Sequence, residues 1–145
     1  MEDHEAIILS REALDLRPPG HPHRPTSLNN LAIYLSTQYK QLGVMEDLGG
    51  AIVLIREALD LRPKDHPDRS TSLDSLGIRR FAQYKHLRAM EDLDEAIVFG
   101  REALNLCPRG HPNRSMLLNN LAPRHATRYD QLGAMEDLDK AIILN

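Results

Sequence analysis

Histidine ligates zinc and takes part in acid–base catalysis, and three histidines recur in this chain at a fixed spacing. His21, His66 and His111 lie 45 residues apart, and a proline follows each of them. A zinc ion shared by all three would require each ligand atom to lie about 2 Å from the metal. If each repeat is a helical unit, equivalent positions are much farther apart, because packed helix axes alone are separated by about 8–10 Å. We therefore predict that these histidines shape loops and that the protein uses no metal or other cofactor.

Adjacent carboxylates, which can serve as a general acid and a general base, recur with the same spacing. The pairs are Glu46-Asp47, Glu91-Asp92 and Glu136-Asp137. Each pair stands where an apolar helical pattern begins, and negative charge near a helix N-terminus is favoured by capping and by the helix dipole. We therefore predict that these pairs cap helices. The sequence has no nucleophile with an obvious partner, no glycine-rich phosphate loop and no spaced Cys/His cluster, so we predict that the protein is not an enzyme.

The composition narrows the class of protein further. Of the 145 residues, 27% are charged and 41% are hydrophobic, and the net charge is −3 without a block of Lys or Arg, so no nucleic-acid partner is predicted. The aliphatic run 51–55 is too short to span a bilayer, and the acidic N-terminus lacks the pattern of a signal peptide. The single cysteine, Cys107, cannot form an internal disulfide. We expect a cytoplasmic protein with no membrane partner.

The 45-residue period extends beyond the histidines and indicates stacked repeats. It recurs in Ala6, Ala51, Ala96 and Ala141 and in Tyr39, Tyr84 and Tyr129. A fixed period of this length is typical of solenoids built from supersecondary units. Within one unit, the spacing of Leu28, Leu31 and Leu35 places them on one face of a helix. Gly43 and Pro63 stand where helices are expected to end.

The pattern predicts seven helices with short connections, so that neighbouring helices form antiparallel hairpins. The predicted ranges are 2–16, 25–42, 46–61, 70–87, 91–106, 115–132 and 136–144. After the helix 2–16, the repeat units comprise about 21–65, 66–110 and 111–145. We expect this single array to be a segment of a longer one. Pro123 lies inside the sixth predicted helix and removes a backbone hydrogen bond there, so a bend or break is predicted just before it.

One unit resembles a known repeat. The segment 28–35 reads Leu-Asn-Asn-Leu-Ala-Ile-Tyr-Leu, Ala51 and Ala58 lie seven residues apart, and Pro63 follows. This pattern resembles the tetratricopeptide repeat, and the His-Pro loop before Leu-Asn-Asn-Leu-Ala is similar to its kinesin-light-chain type. The fuller repeat is similar to tandem arrays of basidiomycete fungal proteins, which often accompany CHAT-type peptidase or nucleotide-binding domains. The resemblance implies an all-α, right-handed superhelical solenoid of about three 45-residue repeats.

By that resemblance, a concave surface formed by the first helix of each unit would bind an extended or helical peptide. The resemblance places on this surface Asn29, Ile33, Ser36 and Thr37 of the first unit, Asp74, Ile78 and Phe81 of the second, and Asn119, Arg124 and Thr127 of the third. Family members that hold the C-termini of chaperones have an asparagine where this chain has Ile33, Ile78 and Pro123, so chaperone tails are not expected. Asn30 and Asn120 either join the groove or bridge repeats.

The sequence therefore predicts a non-catalytic scaffold whose partner is a protein or a peptide. The alternatives are a regulatory array detached from a larger effector protein, of the CHAT-type peptidase or nucleotide-binding kind, and a degenerate fragment without selected function. End faces without a polar capping unit favour self-association. In the second unit, Arg79 and Arg80 replace Tyr34 and Leu35, so that either these charges reach solvent or the helix rotates to pack Phe81.

Overall fold

The protein is all-helical over the residues that its computed structural model describes, which are 2–144 for the backbone and 4–133 for the side chains. The helices in that range are α1 (Glu2–Asp15), α2 (Arg24–Leu42), α3 (Met45–Leu61), α4 (Arg69–Leu87), α5 (Met90–Asn105) and α6 (Arg114–Leu144). The all-α prediction is confirmed, and the ends of α1 to α5 lie within one residue of those predicted. The predicted number of helices is wrong, because 115–132 and 136–144 belong to the single helix α6.

The helices stack as hairpins along the chain. α2 packs with α3 and α4 packs with α5, and each hairpin also contacts the helix before it and the helix after it. Below, α2, α4 and the equivalent part of α6 (114–132) are called A helices, and α1, α3 and α5 are called B helices. This consecutive packing confirms the predicted solenoid.

The core forms where A and B helices meet. Ala51 and Ala58 of α3, and Ala96 and Ala103 of α5, are 0% exposed, since their small side chains allow neighbouring helices to approach closely. Aliphatic side chains fill the remaining space, and the larger cluster includes Leu31, Leu35, Leu48, Ile52, Ile55, Leu59, Leu73 and Leu76. Burial of this apolar surface provides the main favourable free energy of folding.

The His-Pro loops are held by one recurring side-chain contact. Nδ1 of His21 accepts a hydrogen bond from the backbone N–H of His23 at 3.1 Å. The later loops repeat this bond, from Asp68 to His66 at 3.0 Å and from Asn113 to His111 at 3.1 Å. The acceptor nitrogen of each ring is thus engaged within its own loop. The prediction that these histidines shape the loops before the A helices is confirmed.

The arginine after the His-Pro step joins one hairpin to the next. Nη1 of Arg24 donates to the carbonyl of Arg17 at 2.9 Å, and Nη1 of Arg114 donates to the carbonyl of Cys107 at 2.7 Å. Both acceptors lie just beyond the end of a B helix, where carbonyls lack intrahelical partners. Arg24 also pairs through Nε with Glu57 of α3 at 2.9 Å. The first turn of an A helix is thereby fixed to the B helices on both sides.

α6 continues without a break through Pro123, so a break at this residue is wrong, and the alternative of a bend stays a prediction. Hydrogen bonds on both sides of the proline hold the helix against α4. Nδ2 of Asn120 donates to Asp74 at 2.8 Å, and Nη2 of Arg124 donates to the same carboxylate at 3.2 Å. These contacts offset the effect of the proline, which costs about 3 kcal/mol in the interior of an unsupported helix.

A second departure from the predicted pattern lies at Gly133, where the repeat register predicts a turn into a B helix. The equivalent residues Gly43 and Arg88 have left-handed φ values of 72° and 62° and end α2 and α4. At Gly133 the helix instead continues to Leu144. Because Arg88 turns without being glycine and Gly133 does not turn, packing of the B helix, rather than the local residue, sets this connection. The side chains of the predicted helix 136–144 lie outside the described residues.

The acidic pairs lie in the first turns of α3 and α5, but they make no capping hydrogen bond. The N-cap residues are Val44 and Ala89, which have no polar side chain. The prediction of carboxylate caps is therefore wrong at these two helices. Asp47 instead accepts a hydrogen bond from Nε2 of Gln38 at 2.9 Å, which ties the start of α3 to α2. The third pair lies outside the described side chains.

Candidate functional site

A groove between α2 and α4, called the first groove, lies on the A-helix face. Its volume is about 300 Å³, and it is lined by Thr26, Asn29, Asn30, Ile33, Ile55, Arg62, Asp68, Thr71, Ser72 and Ser75. The two charged side chains, Arg62 and Asp68, pair at 3.8 Å, so the lining has no net charge. Ile33 is 53% exposed. The first groove therefore offers amide and hydroxyl groups around an exposed isoleucine.

The second groove lies between α4 and α6, and α2 contributes one residue to it. Its volume is about 380 Å³, and it is lined by Lys40, Ile78, Phe81, Ala82, Lys85, Asn119, Asn120, Pro123 and Arg124. Ile78, Phe81 and Pro123 give it an apolar surface. Lys40 and Lys85 are exposed and stand one repeat apart. The second groove therefore combines apolar and cationic groups.

The positive charges of Lys40 and Lys85 have no acidic partner in the lining of the second groove. The nearby carboxylate of Asp74 is engaged by Arg124 and Asn120. Nζ of Lys85 lies 4.4 Å from the ring centroid of Phe81, at a distance where the ring face attracts a cation. The two lysines thus leave this groove with a net positive charge, unlike the first groove.

One wall of the second groove is a buried ion pair. The side chains of Arg124 and Asp74 are 1% and 4% exposed and lie 3.2 Å apart, and Nη1 of Arg124 donates to the carbonyl of Ala96 at 3.0 Å. Burial lowers the pKa of Arg124, and Asp74 acts in the opposite direction; a guanidinium stays protonated in either case. Gly77 and Gly100 make the space, since a Cβ at Gly100 would lie 2.7 Å from Nη1.

The two arginines that interrupt the apolar stripe of α4 are both engaged. Nε of Arg79 donates to Oγ of Ser36 on α2 at 2.8 Å, and its Nη1 donates to Oγ of Ser75 at 2.6 Å. Arg80 pairs with Glu95 of α5 at 2.9 Å. Phe81 is 9% exposed. The guanidinium groups thus find polar partners at the edges of the core while the phenylalanine packs inside it.

Of the ten residues predicted to bind a partner, six line one of the two grooves and four line neither. Asn29 and Ile33 line the first groove, Ile78, Phe81, Asn119 and Arg124 line the second, and Ser36, Thr37, Asp74 and Thr127 line neither. The structure therefore gathers six of them at two adjacent sites. Partner binding by these residues stays a prediction.

Four of the ten are not on an open surface, and one of them is Phe81, which packs in the core. Asp74 is 3% exposed and Arg124 is 1% exposed, so the surface positions predicted for them are wrong. The physical reason is the space beside Gly77 and Gly100, which lets the guanidinium reach the carboxylate inside the core. Ser36 is 8% exposed and donates to a carbonyl of its own helix at 2.8 Å.

Several groove residues were missed from the sequence although helical spacing points to them. Thr26 lies seven residues before Ile33, and Lys40 lies seven residues after it. Residues seven apart share one face of a helix. Extending the predicted face by two turns in each direction finds both residues, and Thr71 and Lys85 follow in the next unit.

Metal-binding and membrane-spanning features are absent from the described part of the chain. Among the described side chains, no group of three or more His, Cys, Asp and Glu residues is placed to hold a metal ion. No helix in the described range is both long and apolar enough to cross a bilayer. Cys107 is 1% exposed and packs in the larger aliphatic cluster.

Comparison with known families agrees with this geometry. A family model for the tetratricopeptide repeat matches residues 26–68 and 69–113, which is more than half of the chain and covers both hairpins. No curated protein matches the chain. The predicted resemblance to tetratricopeptide repeats is confirmed, whereas the finer resemblance to basidiomycete arrays stays a prediction. The chain belongs to the tetratricopeptide-repeat family.

Proposed function

We propose that this protein is a non-catalytic scaffold that holds a segment of a partner protein against its A helices. Tetratricopeptide repeats mediate protein–protein interaction. The observation that carries the proposal is the second groove, an apolar and cationic surface to which three A helices contribute and which no acidic residue lines. A partner segment that combines an apolar side chain with carboxylates matches this surface.

The two kinds of group in the second groove have different roles in such a complex. Contact with Ile78 and Pro123, both of which are exposed, supplies affinity, since burying one large apolar side chain of the partner contributes about 1.5–3 kcal/mol. Lys40 and Lys85 are exposed, so their attraction for carboxylates contributes more to the choice of partner and the association rate than to affinity. Binding is therefore expected to weaken, without disappearing, as salt is added.

The first groove suits the backbone of the same segment. Asn29, Thr71 and Ser75 offer donors and acceptors that can pair with peptide groups, and Ile33 offers a small apolar contact. An extended chain advances about 3.3 Å per residue, and packed helices lie about 10 Å apart. About three residues of an extended segment therefore span each A helix, and a short segment can contact both grooves.

Selection of peptides from a random library against the immobilised chain tests this proposal. We expect the selected peptides to contain Asp or Glu beside an apolar residue. Lys85→Glu is expected to weaken their binding by up to about tenfold, equal to about 1.4 kcal/mol, as measured by fluorescence polarisation. Lys64→Glu is the matched control, because Lys64 is exposed and lines neither groove. Peptides that bind equally well to Lys40→Glu, Lys85→Glu and Ile78→Asp variants would show that the groove assignment is wrong.

Three finer predictions accompany this proposal. The partner can also be a second copy of the chain, through the ends of the array. A cytoplasmic location is expected, and imaging of a fluorescently tagged chain tests it. The regulatory alternative predicts an effector domain in the coding sequence that flanks these 145 residues, and a peptidase or nucleotide-binding domain there would favour it over an independent scaffold.

A further inference from the structure

Pro123 leaves one backbone carbonyl of α6 without its helical partner. In a helix, the carbonyl of Asn119 accepts a hydrogen bond from the backbone N–H four residues later, and Pro123 has no N–H to donate. At the same position of the earlier repeats, Ile33 and Ile78 each carry an N–H, and α2 and α4 are continuous there. The open acceptor therefore distinguishes α6 from the other two A helices.

The polar side chains beside this carbonyl have their hydrogen bonds elsewhere. Nδ2 of Asn120 donates to Asp74 at 2.8 Å. The terminal nitrogens of Arg124 donate to the carbonyl of Ala96 at 3.0 Å and to Asp74 at 3.2 Å. The carbonyl of Asn119 is thus left to solvent or to a ligand. Backbone carbonyls need a partner once water is removed from them.

The same carbonyl faces the second groove. A helical carbonyl points along the axis toward the residue four positions later, so this one lies between the side chains of Asn119 and Pro123. Both residues are exposed, and both line the second groove. On the exposed side of a helix, carbonyls tilt outward from the axis. The second groove therefore contains a backbone hydrogen-bond acceptor beside its apolar and cationic side chains.

The charge of the groove limits which donor can reach this acceptor. Lys40 and Lys85 have no acidic partner in the lining, so they repel a Lys or Arg side chain of a partner. The donor is therefore a neutral group. The neutral donor that every residue of a polypeptide except proline carries is its backbone N–H.

We propose that a backbone N–H of the partner segment in the second groove donates a hydrogen bond to the carbonyl of Asn119. This inference rests on the proposed function, since it assigns one contact of the same complex. A segment that covered this carbonyl without donating to it would leave a desolvated acceptor unpaired, which weakens binding. Pro123 is thereby a specificity-determining residue, because it exposes an acceptor that rejects a proline at the facing position of the partner.

The spacing of the helices places this contact relative to the carboxylate of the partner. The carboxylate is attracted to Lys85 on α4, and the N–H donates to α6. Packed helices lie about 10 Å apart, and an extended chain advances about 3.3 Å per residue. The acidic residue and the donating residue of the partner are therefore expected to lie about three positions apart.

An amide-to-ester scan of a bound peptide tests for this hydrogen bond. The probe is a peptide from the library selection whose binding is weakened by Ile78→Asp. Each backbone N–H is replaced in turn by an ester oxygen, which keeps the shape of the chain and removes the donor. At one position near the acidic residue, the affinity for the unmodified protein is expected to fall about tenfold, as measured by fluorescence polarisation.

Pro123→Ile tests the same bond from the side of the protein. This variant restores the N–H that satisfies the carbonyl of Asn119, and its side chain is the one found at Ile33 and Ile78. The amide peptide is expected to bind about tenfold more weakly, and the ester peptide is expected to show no further loss. The melting temperature is expected to rise, since the helix regains a hydrogen bond. A merely structural role of Pro123 would not couple its replacement to the ester.

Ala122→Ile is the matched control, because Ala122 is exposed and lines neither groove. It adds the same side chain one residue earlier and leaves the backbone donors unchanged, so the loss caused by the ester is expected to persist. A scan without a sensitive position, or an equal ester loss in Pro123→Ile, would overturn this inference and leave the proposed function standing. Selection of no peptide that is sensitive to Ile78→Asp would overturn both.

Discussion

The two junctions where an A helix packs on the preceding hairpin are filled in different ways. Where α4 meets α2 and α3, the space holds Ile55, which is 2% exposed, and Arg79 stays half-buried with a hydrogen bond to Ser36. Where α6 meets α4 and α5, the position of Ile55 is taken by Gly100. Arg124, one repeat after Arg79, is 1% exposed there. The equivalent space in the two junctions thus holds an aliphatic side chain in one and a guanidinium in the other.

The difference rests on three positions that change together. Asp74, Gly77 and Gly100 stand where the first junction has Asn29, Ala32 and Ile55. The two glycines provide space for the guanidinium, and the aspartate provides its counter-charge. A buried ion pair is not by itself a gain in stability, because desolvation of the two charges roughly cancels their attraction. The stability of the second junction therefore depends on several residues that must be present together. The stability of the first junction depends on apolar burial.

The largest effect that separates the two junctions is expected from Asp74→Ala. Without the carboxylate, Arg124 keeps a buried charge whose remaining hydrogen bond is to the carbonyl of Ala96. Removal of one partner from such a pair costs about 3–5 kcal/mol. Urea denaturation followed by circular dichroism measures the loss, and hydrogen exchange is expected to increase first in α6.

Asp68→Ala is the matched control for that substitution. Asp68 also pairs with an arginine, Arg62 at 3.8 Å, but its side chain is 63% exposed. An exposed pair contributes at most about 1 kcal/mol. Equal losses for the two variants would mean that the burial of Asp74 has no energetic consequence, which would remove the distinction between the junctions.

Two glycine-to-alanine substitutions are expected to change the stability of the fold in opposite directions. At Gly77 a Cβ would lie 2.9 Å from Cζ of Arg124 and 3.1 Å from the carbonyl oxygen of Ala96, so Gly77→Ala is expected to destabilise by about 1–3 kcal/mol through overpacking. At Gly49 of α3 a Cβ meets nothing within 4 Å, and alanine is favoured over glycine in a helix by about 1 kcal/mol. Thermal denaturation measures both changes. A stabilising Gly77→Ala would show that Arg124 does not need this space.

The smallest expected effect is a pH dependence that belongs to the second junction. Burial, and then the charges of Arg101 and Arg128, lower the pKa of His125 below its ordinary value of 6.5, whereas the first junction has Arg80 at this position. Between the lowered pKa and 6.5, the unfolded chain binds more protons than the folded chain, so this residue reduces stability as the pH falls through that window. His125→Gln is expected to lose less stability than the unmodified chain between pH 7 and pH 5, as measured by thermal denaturation. An identical pH profile for both chains would remove His125 as the cause.

The fold was predictable because its signals are local and are present in every copy. Apolar spacing and breaker residues placed the ends of α1 to α5 within one residue. The grooves were predictable only in part, since a position on a helix face indicates which neighbour it meets but not how deeply it is buried. Asn29 and Ile33 do line a groove, whereas Arg124 enters the core. Asn120 fits both of the interpretations that were open for it, since it lines the second groove and bridges repeats through its hydrogen bond to Asp74.

The sequence by itself determined the period of 45 residues, the helical type of each segment and the loops around the histidines. Tertiary structure alone decided the connections and the burial of charge. Arg88 turns in a left-handed conformation, while Gly133 stays helical. The physical reason is that helix propensity is a weaker effect than packing, since it changes the free energy by only about 1 kcal/mol per residue. Packing one large apolar side chain contributes about 1.5–3 kcal/mol, so the neighbouring helices decide where the local preference is weak.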